Sequence, residues 1–214
     1  MDFDRAREKM VASQIRTSEV TDPLVIDAMG CVPREKFLPI DKQNFAYLDE
    51  DLFIGNGRFV MEPLVVARLI QLAELEAADS VLVIGAGTGY LAAVVASMAD
   101  AVVALESDSD LAGRAVKIYD ELGIKNVKVI VGDLKSGFMG AFDAVIVDGA
   151  VEMIPDQFRN QLKEGGRLAC VVREGPVGRA TLVKRAGDSY GSRQEFDAMT
   201  PCLPGFEKQR NFVF

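Results

Sequence analysis

The chain has 214 residues, of which 49% are hydrophobic and 26% charged, so it excludes disordered, collagen-like and coiled-coil classes and suits one α/β domain. Its net charge of -8 argues against a nucleic acid or an anionic membrane as partner, because like charges repel. No uncharged apolar run approaches the roughly 18 residues that span a bilayer. We therefore expect a cytoplasmic protein that binds small molecules or other proteins.

The numbers of histidines and cysteines limit the reactions and the metal sites that the chain can support. The chain contains no histidine, which removes the Ser-His and Cys-His nucleophile pairs and most transition-metal sites, so we expect no metal. Its three cysteines are too few and too scattered for a disulfide framework, and we expect reduced thiols. Any reaction must therefore proceed without an imidazole.

The N-terminal part of the chain, residues 1–77, is predicted to be a helical extension. Thr21-Asp22-Pro23 places a capping side chain before a proline suited to a first helical turn. The glycine-rich segment 53–59 is predicted to be a flexible loop, and Pro63 then opens an apolar helix.

The central part, residues 78–174, alternates short apolar runs with helix-length segments, which is typical of a parallel sheet with crossover helices. The strands are predicted at residues 80–84, 101–105, 127–131, 144–147 and 167–172, and the helices at 90–98, 111–122 and 155–162. Residues 175–214 are predicted to add C-terminal strands at 180–185 and 209–214. The sequence therefore predicts one doubly wound, mostly parallel α/β domain with a helical N-terminal extension.

A glycine-rich turn, Gly85-Ala86-Gly87-Thr88-Gly89, follows the first central strand. Glycines allow a ligand to approach the backbone closely. Glu106 stands 21 residues after Gly85, at the end of the next strand, where a carboxylate can accept hydrogen bonds from both hydroxyls of a ribose. Each feature alone is often only structural. Together they predict a nucleoside ligand.

The spacing of the glycines indicates which nucleoside. A dinucleotide fingerprint needs a third glycine where this chain has Tyr90, so methyl-donor enzymes fit better than nicotinamide-dependent oxidoreductases, which stay as a weaker hypothesis. Asp133 follows the third strand and could accept from an adenine amino group, although Gly-Asp is also an ordinary turn pair. Asp148 follows the fourth strand at the same sheet edge. The predicted cofactor contacts are Gly85, Ala86, Gly87, Gly89, Tyr90, Glu106, Asp133, Leu134 and Asp148.

Longer motifs carry a family resemblance over most of the chain. They include Val32-Pro33-Arg34-Glu35-Lys36-Phe37-Leu38-Pro39, Ile54-Gly55, Val81-Leu82, Ile84-Gly85, Phe142-Asp143-Ala144, Ile154-Pro155 and Leu162-Lys163-Glu164-Gly165-Gly166-Arg167-Leu168. With them the sequence resembles the protein-L-isoaspartate O-methyltransferases. The resemblance implies S-adenosylmethionine as cofactor and methylation of the α-carboxylate of isoaspartyl residues in damaged proteins or peptides, a step in protein repair. Such a carboxylate is already nucleophilic, so no histidine is needed.

The chain departs from that family in one loop. The family carries a Gly-Gln-Thr-Ile-Ser-Gln-Pro type segment, where this chain reads Gly57-Arg58-Phe59-Val60-Met61-Glu62-Pro63. Met61 takes the place of the active-site serine and cannot donate a hydrogen bond, so we assign no catalytic residue. The predicted substrate contacts are Arg58, Phe59 and Met61. Arg58 could bind a substrate carboxylate through paired hydrogen bonds, although a loop arginine is more often solvated.

Two further departures concern the cofactor. Val83 stands where the family has an acidic residue, and its loss is expected to weaken cofactor binding; Asp148 replaces a threonine. An alternative hypothesis is therefore a family member with impaired catalysis, which acts as a cofactor-binding or regulatory protein or methylates another acceptor.

Overall fold

The computed structural model describes residues 1–208. The α-helices of this part are α1 (Phe3–Met10), α2 (Pro23–Cys31), α3 (Pro63–Leu72), α4 (Tyr90–Ala96), α5 (Ser109–Leu122) and α6 (Asp156–Asn160). Its strands are β1 (Leu52–Gly55), β2 (Arg58–Val60), β3 (Ser80–Ile84), β4 (Ala101–Glu106), β5 (Val127–Val131), β6 (Phe142–Val151), β7 (Leu162–Glu174), β8 (Val177–Ala186) and β9 (Ser189–Asp197). No helix within residues 1–208 is both long enough and apolar enough to cross a membrane.

Side-chain caps fix where two of the helices begin. The Asp22 carboxylate accepts from the Leu24 N–H at the start of α2, and Pro23 occupies the first helical turn, as the sequence predicts. Asp108 caps α5 by accepting from the N–H groups of Asp110 and Leu111. This second cap matters for the site, because Asp108 lies two residues after the end of β4.

The main sheet has seven strands in the order β5-β4-β3-β6-β7-β8-β9. The first five strands in that order, β5-β4-β3-β6-β7, pair in parallel. Strands β8 and β9 add two antiparallel strands at one edge. The chain moves outward from β3 to β4 and β5, then returns to place β6 on the other side of β3. This reversal confirms the predicted doubly wound fold, and it opens a crevice at the carboxyl ends of the strands around β3.

The predicted strands agree with β3, β4 and β5, and the differences lie in the later strands. Strand β6 continues to Val151 with a register shift between Ile146 and Ala150, so Asp148 lies inside the strand and not after it. Strand β8 contains the predicted strand 180–185, whereas β9 was not predicted because its polar residues give little apolar alternation. The predicted strand 209–214 lies outside the described residues.

The segment predicted as a flexible loop is an ordered β-hairpin, which corrects that prediction. Strands β1 and β2 pair antiparallel around Asn56 and Gly57, whose φ angles are 50° and 73°. Positive φ at both central residues is the requirement of a type I′ turn, and Asn-Gly meets it well. Ile54 and Arg58 are buried while Phe53 is exposed, so one face of the hairpin lies on the body of the protein.

Hydrophobic side chains cover both faces of the sheet. Along β3, Val81 and Val83 belong to the larger cluster, with residues of α2, α3, α4 and α5, while Leu82 and Ile84 belong to the smaller one, with Phe158 of α6. The Val83 side chain is fully buried. The position at which the family resemblance implies an acidic residue is therefore part of the apolar core in this chain.

Candidate functional site

Glu106 is the centre of the site at the carboxyl edge of the sheet. Its side chain is fully buried, and the N–H groups of Gly87, Ser107 and Asp108 donate to its carboxylate at 2.6, 2.7 and 3.0 Å. The Ser107 hydroxyl donates at 3.2 Å. Buried charges need such donors, because desolvation penalises an ionised group that lacks partners. The structure thus places Glu106 beside the glycine turn.

Arg58 reaches the same carboxylate from the hairpin. Its Nη1 lies 3.0 and 2.9 Å from the two oxygens of Glu106, and its Nη2 donates to the carbonyl oxygen of Gly85. Only 4% of the Arg58 side chain is exposed, so this is a buried ion pair and not a solvated loop arginine. The contact joins a residue predicted to bind substrate to one predicted to bind cofactor.

Side chains of the chain itself cover all three glycines of the turn. A Cβ on Gly85 would lie 3.0 Å from both Arg58 Nη2 and Leu203 Cδ1, and one on Gly87 would lie 3.1 Å from Ile54 Cδ1. The Tyr119 hydroxyl donates to the Gly89 carbonyl at 2.9 Å. The space that the absent side chains leave is therefore taken by protein atoms in this conformation.

Leu203 is the covering residue that the sequence did not indicate. Its N–H donates to the carbonyl oxygen of Ala150 at 2.8 Å, which brings a segment after β9 alongside the end of β6. A Cβ on Gly149 would lie only 2.7 Å from Leu203 Cδ2. Leu203 stands more than a hundred residues after the glycine turn that it covers, so no local pattern in the sequence indicates the contact.

Asp148 lies in the same place without comparable partners. Its carboxylate is buried and accepts no hydrogen bond from the residues that the structure describes. Burial raises its pKa to about 7, an effect opposed by the charges of Arg58 and Arg34 and reinforced by those of Glu106 and Asp51. Asp148 is thus a buried residue whose carboxylate faces charges of both signs.

The remaining predicted cofactor residues have other contacts. Asp133 is exposed and accepts from Lys135 N–H, Ser136 N–H and the Ser136 hydroxyl; these bonds, the hydroxyl's first, lower its pKa. This is the ordinary Gly-Asp turn that the sequence also allowed. Leu134 is buried in the smaller hydrophobic cluster, and Ala86 is buried within the turn. Whether these residues contact a cofactor stays a prediction.

Tyr90 faces the core and not the crevice. Its ring packs 5.6 Å from that of Phe37, and the guanidinium of Arg34 lies 4.8 Å above it. Arg34 is fully buried and donates to the carbonyl oxygens of Ala46 and Met61, each at 2.7 Å. The Val-Pro-Arg-Glu block therefore holds the backbone beside the predicted substrate loop.

The two other predicted substrate residues lie against the closed crevice. Met61 is buried, while half-buried Phe59 packs edge-on against Phe53 with ring centres 5.2 Å apart. With Arg58, Asp148 and Leu203 they line a void of about 10 Å³. That volume holds about one water molecule.

The family of the chain follows from comparison with known proteins. The model of the family described as "Protein-L-isoaspartate(D-aspartate) O-methyltransferase (PCMT)" matches residues 5–200. The chain belongs to this family. Its members use S-adenosylmethionine, and the chain is accordingly an S-adenosylmethionine-dependent methyltransferase. The alternative of a member without catalysis is not favoured.

Named relatives agree with this membership. A protein-L-isoaspartate O-methyltransferase 2 from Anaeromyxobacter sp. (strain Fw109-5) is 41% identical over 92% of this chain and 82% of its own length. A protein-L-isoaspartate O-methyltransferase from Roseiflexus sp. (strain RS-1) is 36% identical over 96% and 95%.

Solved structures agree as well. One named protein-L-isoaspartate O-methyltransferase superposes with a TM-score of 0.80 at 26% identity, covering 93% of this chain and 66% of that chain. A Plasmodium falciparum structure, described as in complex with S-adenosyl-L-homocysteine, has a TM-score of 0.77 at 21% identity, covers 95% of this chain and 98% of that chain, and supports the fold alone.

The hydrogen-bonding groups around Glu106 suit the nucleoside part of such a cofactor, but the space beside them is already filled. A ribose needs free acceptor positions on the carboxylate, and Arg58 already bonds both of its oxygens. The space beside Gly85 and Gly87 is filled by the side chains of Arg58, Leu203 and Ile54. The conformation described here is therefore closed to the cofactor.

Proposed function

We propose that the chain methylates the α-carboxylate of isoaspartyl residues in damaged proteins or peptides. The observation that carries the proposal is the match of the family model over residues 5–200, together with Glu106 bonded to the Gly87 N–H at the carboxyl edge of the sheet. S-adenosylmethionine, when bound, supplies an activated methyl group. We further propose that Gly85, Gly87 and Glu106 hold its nucleoside part in an opened form of the crevice.

The chemistry of the acceptor matches what this chain offers. A carboxylate is ionised and nucleophilic at neutral pH, so catalysis needs orientation rather than a general base. The lack of histidine, and of a serine at Met61, is compatible with such a reaction. In this proposal the hairpin residues Arg58 and Phe59 and the adjoining Met61 border the space that the acceptor enters.

The setting of the reaction is part of the proposal. All three cysteines are unpaired, which agrees with a reducing compartment, and we propose the cytoplasm as the location.

The test is transfer of a radioactive methyl group to an isoaspartyl peptide. The matched control is the same peptide with an ordinary aspartyl residue, which should not be labelled. Glu106→Gln should lower labelling by about tenfold or more, since loss of one charge-assisted hydrogen bond is worth about that factor. Glu121→Gln, on the exposed face of α5, should leave labelling unchanged. Equal labelling of both peptides, or none of either, would contradict the proposal.

A further inference from the structure

Two occupants compete for the acceptor atoms of Glu106. The ribose of the cofactor, as the proposed function has it, requires oxygens that Arg58 now bonds at 3.0 and 2.9 Å. The carbonyl oxygen of Gly85 is also taken by Arg58, at the point where the turn should approach a ligand. One guanidinium thus covers both the carboxylate and the first glycine.

Glu106 is held well enough to release Arg58. Without the arginine it keeps the backbone N–H groups of Gly87, Ser107 and Asp108 and the hydroxyl of Ser107. Loss of Arg58 therefore frees a position on Oε2, which among residues 1–208 then accepts only from the Gly87 N–H and can take a hydroxyl group.

Arg58, in contrast, needs a new anionic partner when it leaves. Its side chain is 4% exposed, and the hairpin turn is held down by Asn56, whose side-chain amide donates to Asp108 at 2.5 Å. A buried guanidinium without a counter-ion is costly. Asp148 lines the same void, carries no hydrogen bond from residues 1–208, and already feels the positive charge of Arg58.

We propose that Arg58 is an internal competitor of the cofactor, paired with Glu106 in the closed state and transferred to Asp148 when the nucleoside binds. The structure brings Arg58 and Asp148 to one void. The identity of the ligand in this inference rests on the proposed function. A closed state lowers apparent affinity by the fraction of molecules that are open.

The first experiment measures binding of S-adenosylhomocysteine to the intact chain by titration calorimetry. Arg58→Met removes the guanidinium at similar length and should tighten binding by about tenfold, because the closed state loses its ion pair. Arg58→Lys keeps a charge for Glu106 and should fold even if the methionine variant does not. It should tighten binding by about threefold, since a single ammonium nitrogen replaces the two guanidinium nitrogens that bond Glu106 and Gly85.

The matched control is Arg68→Met. Arg68 forms an ion pair with the exposed Glu19 at 2.8 Å and stacks on Phe196, away from the crevice. Its replacement should leave the affinity for S-adenosylhomocysteine unchanged. Unchanged or weaker binding in both Arg58 variants would overturn the role of Arg58 as a competitor.

The second experiment isolates the transfer to Asp148. Asp148→Asn should weaken binding about tenfold when Arg58 is present, because the displaced guanidinium then lacks a counter-ion. In the Arg58→Lys background the loss of affinity caused by Asp148→Asn should be smaller. In the Arg58→Met background that loss should vanish. An equal loss in both backgrounds, or no loss in either, would overturn the transfer.

These results can be separated from the proposed function. If the Arg58 variants bind S-adenosylhomocysteine more tightly while no isoaspartyl peptide is methylated, the competitor is supported and the substrate proposal fails. If the peptide is methylated while the Arg58 variants bind no more tightly, the substrate proposal stands and the competitor fails.

Discussion

Glu106 and Asp148 are both buried carboxylates at the same edge of the sheet, yet their surroundings differ. Strand β4 ends at Glu106, so the chain turns there and the N–H groups of Ser107 and Asp108 point back to the carboxylate. Strand β6 continues three residues beyond Asp148, to Val151, and no hydrogen bond is among the leading causes of the shift in the pKa of Asp148. A strand end thus creates an anion site that a strand interior does not.

The largest expected effect comes from removing the carboxylate of Glu106. Glu106→Leu leaves Arg58 buried without its counter-ion, which should lower the free energy of unfolding by about 3–5 kcal/mol. Urea denaturation followed by circular dichroism measures it. The double variant Glu106→Leu, Arg58→Met removes both charges and should recover a large part of the loss. A double variant as unstable as the single one would show that the cost is not electrostatic.

Asp148→Asn tests the other carboxylate through pH. The native pKa of about 7 lies above the ordinary value of 3.8, so the folded protein holds the Asp148 proton more tightly than the unfolded chain does. The resulting stability is fully present below about pH 4 and is lost as the pH rises through about 7. Asparagine never ionises, so the free energy of unfolding of the variant should rise relative to that of the wild type as the pH rises from about 4 to about 7, by at most about 4 kcal/mol.

The measurement is the difference in unfolding free energy between Asp148→Asn and wild type at about pH 4 and about pH 8. The charges that face Asp148 are Arg58, Arg34, Glu106 and Asp51. Glu62, whose pKa burial raises to about 7, titrates in both proteins and cancels in the difference. A difference that does not change with pH would mean that Asp148 is ionised in the folded state throughout.

The same contrast explains what could be predicted from sequence. The apolar run of β3, the glycine turn and Glu106 follow one another closely, and local rules place them at one sheet edge. Asn56-Gly57 carries the signal of the hairpin, but glycines indicate flexibility as well as positive φ, and the loop prediction rests on the first of these. Leu203 and the pairing of Arg58 with Glu106 depend on contacts between distant segments, for which a single sequence holds no local pattern.

The smallest expected effect tests how redundant the donors of Glu106 are. Ser107→Ala removes only the hydroxyl donor at 3.2 Å, while the Ser107 N–H remains at 2.7 Å. Three backbone N–H groups and Arg58 still bond the carboxylate, so the free energy of unfolding should fall by no more than about 1 kcal/mol. Urea denaturation measures this, with Ser97→Ala as the control, because Ser97 is likewise an exposed serine and its hydroxyl donates to the carbonyl oxygen of Ala93. A loss as large as that of Glu106→Leu would mean that the backbone donors alone cannot hold the charge, and Glu106 could not release Arg58.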